Sequence, residues 1–419
     1  MTRFSRREFL NHSKKSTLGL AAGLTILKNA KSVRGAPSAD KVILAAVGVG
    51  GRGNHLATHP EWGFLCRGDC HYAYLCDPNA RTAGSRVKGI ADMQGGKEPK
   101  VVQDFREALD DSSVDAIVSA TPDHWHALST VWACMAGKDV YVEKPAHHSC
   151  WEGQKMVEAA RKHKRVVQIG TQNRSAPYNM SAKKFIEDGK LGTIHLCRIY
   201  NQKPPWGMTK KQPNSDAPTG FDWNIWNGPA PKHPYNVGLH RTWHHLWRYS
   251  GGDIANDASH QIDLARWLLG VTYPKTVYST GGRFATNPDE LVAETPDTQI
   301  ALYDFDGLLV SFELTLYGKY MLKTDGEVRE TDMFPYWMQN STRIEIFGTD
   351  GLMVVGRHGG GWQVFIRPTQ RKPVVADQDY GRFPDPPHKE NFISCIRSRE
   401  KPNADVLEGH RSALWTHYA

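Results

Sequence analysis

Residues 41–53 read KVILAAVGVGGRG, a continuous apolar run that ends in glycines at 48, 50, 51 and 53. Such a run is what a strand buried on both faces looks like, and Gly48, Gly50 and Gly53 follow it with the spacing G-x-G-x-x-G, with Gly51 in the same turn. Missing side chains let the backbone turn tightly and approach a pyrophosphate, which the amides and dipole of the following helix hold. Four more apolar runs, YAYLCD (72–77), VDAIVSA (114–120), KDVYVE (138–143) and RVVQIG (165–170), alternate with amphipathic segments such as 124–136 and 151–164. Strands separated by helices specify a doubly wound parallel sheet, the Rossmann arrangement, over residues 40–170.

After Thr171 the texture changes. TQIALYDFDGLLVSFELTLY (298–317) and TRIEIFGTDGLMVVG (342–356) alternate polar with apolar residues around Asp306-Gly307 and Asp350-Gly351, the signature of neighbouring antiparallel strands. An α+β domain built on an open, mostly antiparallel sheet is expected over 171–419, so the fold class is α/β followed by α+β. A stretch rich in Trp, Pro and His, 201–250, reads as long ordered loops, and the last segment reads as two helices around Pro402, the second stopping abruptly at Ala419.

A chain of 419 residues accommodates two such domains. The formal charge of +8 lies in residues 1–39, which hold eight basic residues and one acid and leave 44 basic against 43 acidic residues elsewhere. That balance gives the body no reason to bind nucleic acid, and no run is long and apolar enough to span a membrane. The leader, with Arg6, Arg7, Phe9 and Leu10 ahead of TLGLAAGLTIL (17–27), resembles a twin-arginine export signal, although Asn11 stands where a lysine is common. It implies export to the periplasm or beyond. The seven cysteines form no Cys-x-x-Cys pair or dense framework, and neither Cys66, Cys70 and His71 nor the pairs His124/His126, His147/His148 and His244/His245 complete a familiar metal spacing. No metal is expected.

Chemistry gathers at the strand ends. Asp77 closes the second strand, where a carboxylate accepts both adenosine-ribose hydroxyls and repels the 2′-phosphate of NADP, so NAD is favoured; Arg81 nearby softens that preference. SATPDHWHAL (119–128), with Thr121, Pro122 and His126, and YVEKPA (141–146), with Glu143 and Lys144, end at the carboxyl edge of the sheet, where ligands bind in open α/β folds. A lysine fixed there faces the nicotinamide and stabilises charge on the substrate oxygen as hydride leaves. The alternative is a surface lysine paired with Glu143. In GGDIANDASHQIDLARWLLG (251–270), Asn256, His260 and Asp263 fall on one stripe of a helix that Asp253 begins, and His260 suits a base that takes a hydroxyl proton. Its alternative is a histidine held structurally beside Asp263.

Together GVGGRG, ATPDHWHA, EKP and GGDIANDASHQIDLARWLLG resemble the glucose-fructose oxidoreductase and inositol dehydrogenase (Gfo/Idh/MocA) family, in order from about Lys41 onward. The resemblance implies a Rossmann domain, an open-sheet domain whose face forms dimers or tetramers, and hydride exchange between a tightly held nicotinamide and a sugar or cyclitol. It implies a catalytic role for Lys144 and His260 and a place near the cofactor for His126. Asn173 and Arg174, just past the last parallel strand, join Asn256 and Asp257 as candidate substrate contacts. The family commonly has an aspartate four residues before the catalytic histidine, where this chain has Asn256, with Asp257 one place on. An amide cannot relay a proton, and on a straight helix Asp257 points about 100° around the axis. Three functions are therefore weighed: an oxidoreductase of a sugar, sugar acid or cyclitol; an NAD-dependent glycosidase that oxidises the sugar transiently; and a sugar- or cofactor-binding protein without turnover. Trp206, Trp223, Trp226, Trp243 and Trp247 are available to stack on sugar rings.

Overall fold

A computed structural model describes residues 41–204, 206–318, 340–357, 360–366 and 374–419. The leader, with its expected export signal, lies outside the described residues. Six parallel strands, β1 (Val42–Val47), β2 (Cys70–Cys76), β3 (Lys100–Val102), β4 (Ala116–Ser119), β5 (Asp139–Val142) and β6 (Val167–Ile169), stand in the order β3-β2-β1-β4-β5-β6. The order reverses beside β1, which places a crevice at the carboxyl ends of β1 and β4. Successive residues of β1 serve opposite faces: Val42, Leu44 and Ala46 join one core, Ala45 and Val47 the other. That is why the run carries no polar alternation.

Helices α1 (Gly51–Thr58), α2 (Ala80–Met93), α3 (Asp123–Met135) and α4 (Cys150–Lys162) are crossovers of this sheet, and α5 (Pro177–Glu187) leads out of it. Asn79 caps α2 through its side-chain oxygen, and Ser149 with Glu152 forms a capping box at α4. The short strand β3 was not singled out in the sequence; its three residues are too few for a periodic signal.

The second domain holds an eight-stranded sheet whose backbone is β7 (Ile194–Gln202), paired parallel to Leu308–Thr315 and antiparallel to Arg343–Gly348. Asp306-Gly307 and Asp350-Gly351 sit at the expected hairpin turns, with Gly307 at a φ of 80°. Helices α6 (Gly252–Asn256) and α7 (Ser259–Leu269) follow the Trp-rich loops; Ile262, Leu264 and Leu268 of α7 join the core of this sheet. The two last helices, α8 (Asp385–Ser398) and α9 (Val406–Tyr418), return to the first domain. Phe392, Ile393 and Ile396 pack with Phe64 and Tyr72 on one face of the parallel sheet, and Val406 and Ala413 enter the core of the other. The segment between α1 and β2, with Trp62 and Phe64, thus acts as a seat for α8, where Lys389 lies over Trp62 at 4.4 Å. Among the described residues no helix is long and apolar enough to cross a membrane.

Candidate active site

The loops at the carboxyl edge of the parallel sheet form one wall of a cavity of about 1020 Å³, and the second domain forms the other. The volume is at the upper end for a small-molecule site, as a dinucleotide and a second ligand require.

In the dinucleotide half, Gly48 has a φ of 78°, and a Cβ there would sit 2.9 Å from the Ala120 carbonyl oxygen. A Cβ on Gly53 would meet the Gly48 oxygen at 1.9 Å, so the first turn of α1 packs directly on the glycine loop. Gly50 and Gly51 line the cavity with nothing within 4 Å of a Cβ position, which leaves the room a pyrophosphate needs. Asp77 faces the same space; its carboxylate accepts from the Val49 amide at 3.0 Å and the Asn79 amide at 2.9 Å. Burial raises this carboxyl above its usual range, and the two amides oppose that. Glycine loop, helix start and fixed acid fit a nicotinamide dinucleotide.

Thr121 and Pro122 line the cavity, as expected. His126 lies one layer behind: its ring bridges the carbonyl oxygens of Pro145 (2.6 Å) and Thr121 (2.9 Å), tying the end of β4 to the EKP turn. Glu143 pairs with Arg52 at 2.8 Å, so the surface pairing of Glu143 with Lys144 does not form. Arg52, supplied by the glycine loop itself, went unnoticed in the sequence because the loop was read for its glycines.

Lys144, ahead of a cis proline, aims its ammonium across the cavity at Asn256, donating to its carbonyl oxygen at 2.5 Å and its side-chain oxygen at 3.3 Å. Burial lowers the lysine pKa, against the attraction of Asp257, Asp123 and Glu143. The polar stripe expected on one straight helix does not exist, because the helix is interrupted between Asn256 and Ser259. At that break Asp257 joins the cavity wall beside Asn256 and His260. Lys203 donates to one of its oxygens and Arg357 to the other, each at 2.7 Å, and Lys203 also pairs with Asp253 at 2.7 Å. His260 is driven well below the usual histidine pKa by burial and by the charges of Arg357 and Lys144. It is neutral near pH 7 and able to accept a proton. His244, which the sequence offers only as half of an incomplete metal pair with His245, is a second neutral imidazole on this wall, lowered by burial and stacked on Trp243 at 3.6 Å.

Three expectations are corrected. Arg174 does not reach the cavity: it is buried against Asp263, with nitrogen–oxygen distances of 2.9–3.0 Å. Asp263 is thereby removed from His260 and held by Arg174 and Ser412. Asn173 is buried beside Asn179, and its neighbour Gln172 lines the cavity instead. The tryptophans divide: Trp206 and Trp243 line the reacting half, Trp226 lines the far end, Trp223 belongs to an aromatic core, and Trp247 is exposed away from the cavity lining. Lys203 follows β7 and Arg357 follows Leu352–Gly356, so only the placement of those strands reveals them.

A Rossmann crevice opening onto a lysine ammonium, a carboxylate and a neutral imidazole defines a nicotinamide-dependent oxidoreductase. The family profile described as an oxidoreductase family with an NAD-binding Rossmann fold, GFO/IDH/MocA, matches residues 47–171, and that of the GFO/IDH/MocA C-terminal domain matches 224–354. The chain belongs to the GFO/IDH/MocA oxidoreductase family. It is 26% identical over 281 residues to the uncharacterized oxidoreductase YrbE of Bacillus subtilis (strain 168), covering 65% of this chain and 67% of that protein. It is 26% identical over 276 residues to scyllo-inositol 2-dehydrogenase (NAD(+)) of the same strain, covering 65% of each. Among solved structures, levoglucosan dehydrogenase in complex with NADH and levoglucosan shares the fold at a TM-score of 0.65 and 20% identity, covering 90% of this chain and 96% of that one. The WlbA dehydrogenase from Bordetella pertussis, in complex with NADH and UDP-GlcNAcA, does so at 0.60 and 23%, covering 90% and 94%.

Proposed function

We propose that this oxidoreductase exchanges hydride between a tightly held NAD and a hydroxyl-bearing carbon of a sugar, sugar acid or cyclitol. One observation carries the reading: Lys144, Asp257 and His260 converge on a cavity whose opposite half is the glycine loop and Asp77. Gly48 makes the tight turn, Gly50 and Gly51 leave space for the pyrophosphate, Asp77 takes the adenosine ribose, and Thr121 and Pro122 flank the nicotinamide half. NAD supplies the hydride acceptor. Lys144 holds the substrate oxygen and stabilises the charge that develops on it. His260 accepts the hydroxyl proton. Asp257, fixed between Lys203 and Arg357, supplies the carboxylate that Asn256 lacks, which removes the main support for a binding protein without turnover.

The named activities of the relatives, on scyllo-inositol and levoglucosan, support a neutral polyol or sugar as substrate. A second reading, transient oxidation followed by loss of a glycoside, has one observation in its favour. His244 supplies another neutral base on the same wall, and removal of the C–H beside a new ketone needs one. The leader motif supports export by the twin-arginine route, and the open sheet supports a homo-oligomer. NADH formation is to be followed with inositols, levoglucosan and simple glycosides as probes, with binding of NAD and NADP measured in parallel. The reading expects NAD reduction by a cyclitol or sugar, and tighter binding of NAD than of NADP. In Asp77→Ala the NAD affinity should fall at least tenfold; unchanged affinity would mean the ribose is held elsewhere.

A further inference from the structure

Residues 215–250 leave the second domain and lie across the Rossmann half, hydrogen-bonded to both sides of the crevice. On the β2 side, Ala80 N donates to the Gly220 oxygen and Asp222 N to the Pro78 oxygen, both at 2.9 Å. Gln103 Nε2 donates to the same two carbonyls at 3.2 and 2.7 Å, and Asn79 bridges Phe221 as a strand pair. On the β4 side, the Trp125 indole donates to the carbonyl oxygens of Ile225 and Trp226 at 3.1 and 3.0 Å. His124 N donates to the Tyr249 oxygen at 3.1 Å, and Ser250 Oγ donates to Asp123 at 2.6 Å.

The segment is also stiff in itself. Phe221, Trp223, Trp226, Tyr235, Leu246 and Tyr249 form a separate buried cluster, with Trp223 stacked on Trp226 at 4.8 Å. Tyr249 closes it by donating to Asn227 at 2.7 Å. Gly228 passes so close to the Trp125 ring that a Cβ would lie 2.3 Å from it. Segments that open readily have few buried apolar contacts, and this one has a core of its own.

Its inner surface faces the ligand space. Phe221, Ile225 and Trp226 line the cavity opposite Pro78, Asn79, Gln103 and Phe105, the end beyond Asp77. Given the assignment of Asp77 to the adenosine ribose, that end takes the adenine, an aromatic base with flat aromatic neighbours on the covering side. We propose that residues 215–250 are a fixed cover over the adenosine end of the crevice, so that NAD(H) is retained through successive turnovers and exchanges only when the cover's hydrogen bonds break. The inference rests on the cofactor reading of the crevice. It gives the Trp-rich stretch a role in cofactor retention over part of its length, where the sequence suggested sugar stacking.

The test is the rate of NADH exchange in the full chain. Protein loaded with NADH is mixed with excess NAD, and energy transfer from tryptophan to NADH reports release; mixing free protein with NADH reports uptake. Ala80→Pro deletes one donor to Gly220 at the first position of α2, where proline is accepted and where Asn79 is already extended. Gln103→Leu deletes the other donor to Gly220, along with a bond to Pro78 on its own side of the crevice. Each bond lost should raise the opening equilibrium about fivefold. Release and uptake should rise together by that factor, leaving affinity nearly constant, and the double variant should exceed about tenfold. A residue that merely touches the cofactor speeds release alone, so release rising without uptake overturns the cover. Wild-type rates in both variants overturn it as well. A wild-type chain that takes up neither NADH nor NAD overturns the cofactor reading on which it stands.

Discussion

Acid should destabilise this protein well before its carboxylates protonate, and two buried histidines give the effect a lower bound. His388 is fully buried, donating from Nε2 to the Ile169 oxygen at 3.0 Å while Ser175 Oγ donates to Nδ1 at 2.8 Å. His124 is buried under Trp226 and donates to its carbonyl at 3.2 Å. Burial pushes the first down to about 4 and the second to about 3. In the unfolded chain both titrate near about 6.5. Above that value neither binds a proton in either state, and stability does not depend on them. Below it the unfolded chain takes up protons that the folded one refuses, and each histidine removes roughly 1.4 kcal/mol per pH unit until its folded pKa is reached. By about pH 5 the two together cost roughly 4 kcal/mol, against a total stability of about 5–15 kcal/mol. His240 and His417, each lowered to about 4 chiefly by burial, act in the same direction. Urea unfolding followed by tryptophan fluorescence from about pH 8 to about pH 5 should show the midpoint falling steadily below about 6.5. His388→Gln should lower stability at neutral pH and flatten that fall by one proton. A midpoint independent of pH over this window refutes the reasoning.

Arg174→Leu leaves the Asp263 carboxylate buried without its main partner and should lower stability by about 3–5 kcal/mol, with no change in NAD affinity; a shift in NAD affinity at unchanged melting temperature would place Arg174 in the site after all. Asp257→Asn removes the counter-charge shared by Lys203 and Arg357, and kcat should fall by about 10² while NAD still binds. Rates at the wild-type level in that variant would remove Asp257 from the chemistry. Gly48→Ala forces a side chain into positive φ and against the Ala120 carbonyl, and NAD affinity should drop together with melting temperature.

The parts of the site that lie close together in the chain were legible in the sequence. The glycine loop, Asp77, Thr121 and the EKP turn each close a strand, so a correct strand order carries all of them to one edge. What depends on the second domain was legible only in part. His260 and Asn256 were found because they share one local motif, whereas Lys203 and Arg357 stand at the ends of strands more than a hundred residues apart and meet only through Asp257. Arg174 misled because a charged residue just past a parallel strand suggests a site, while an ion pair with a residue 89 positions away leaves no local trace. Asp257 was legible as a substrate contact but not as the partner of His260, because a straight helix turns it about 100° away, and the break after Asn256 undid that geometry.

The most direct test of the central claim is Lys144→Ala, with NAD binding measured by calorimetry and hydride transfer by NADH absorbance on whichever polyol the wild-type chain oxidises. The account predicts NAD binding close to wild type and transfer reduced by at least about 10². Transfer at the wild-type rate in that variant would contradict the account, because the amine presented at the end of β5 would then have no part in the reaction.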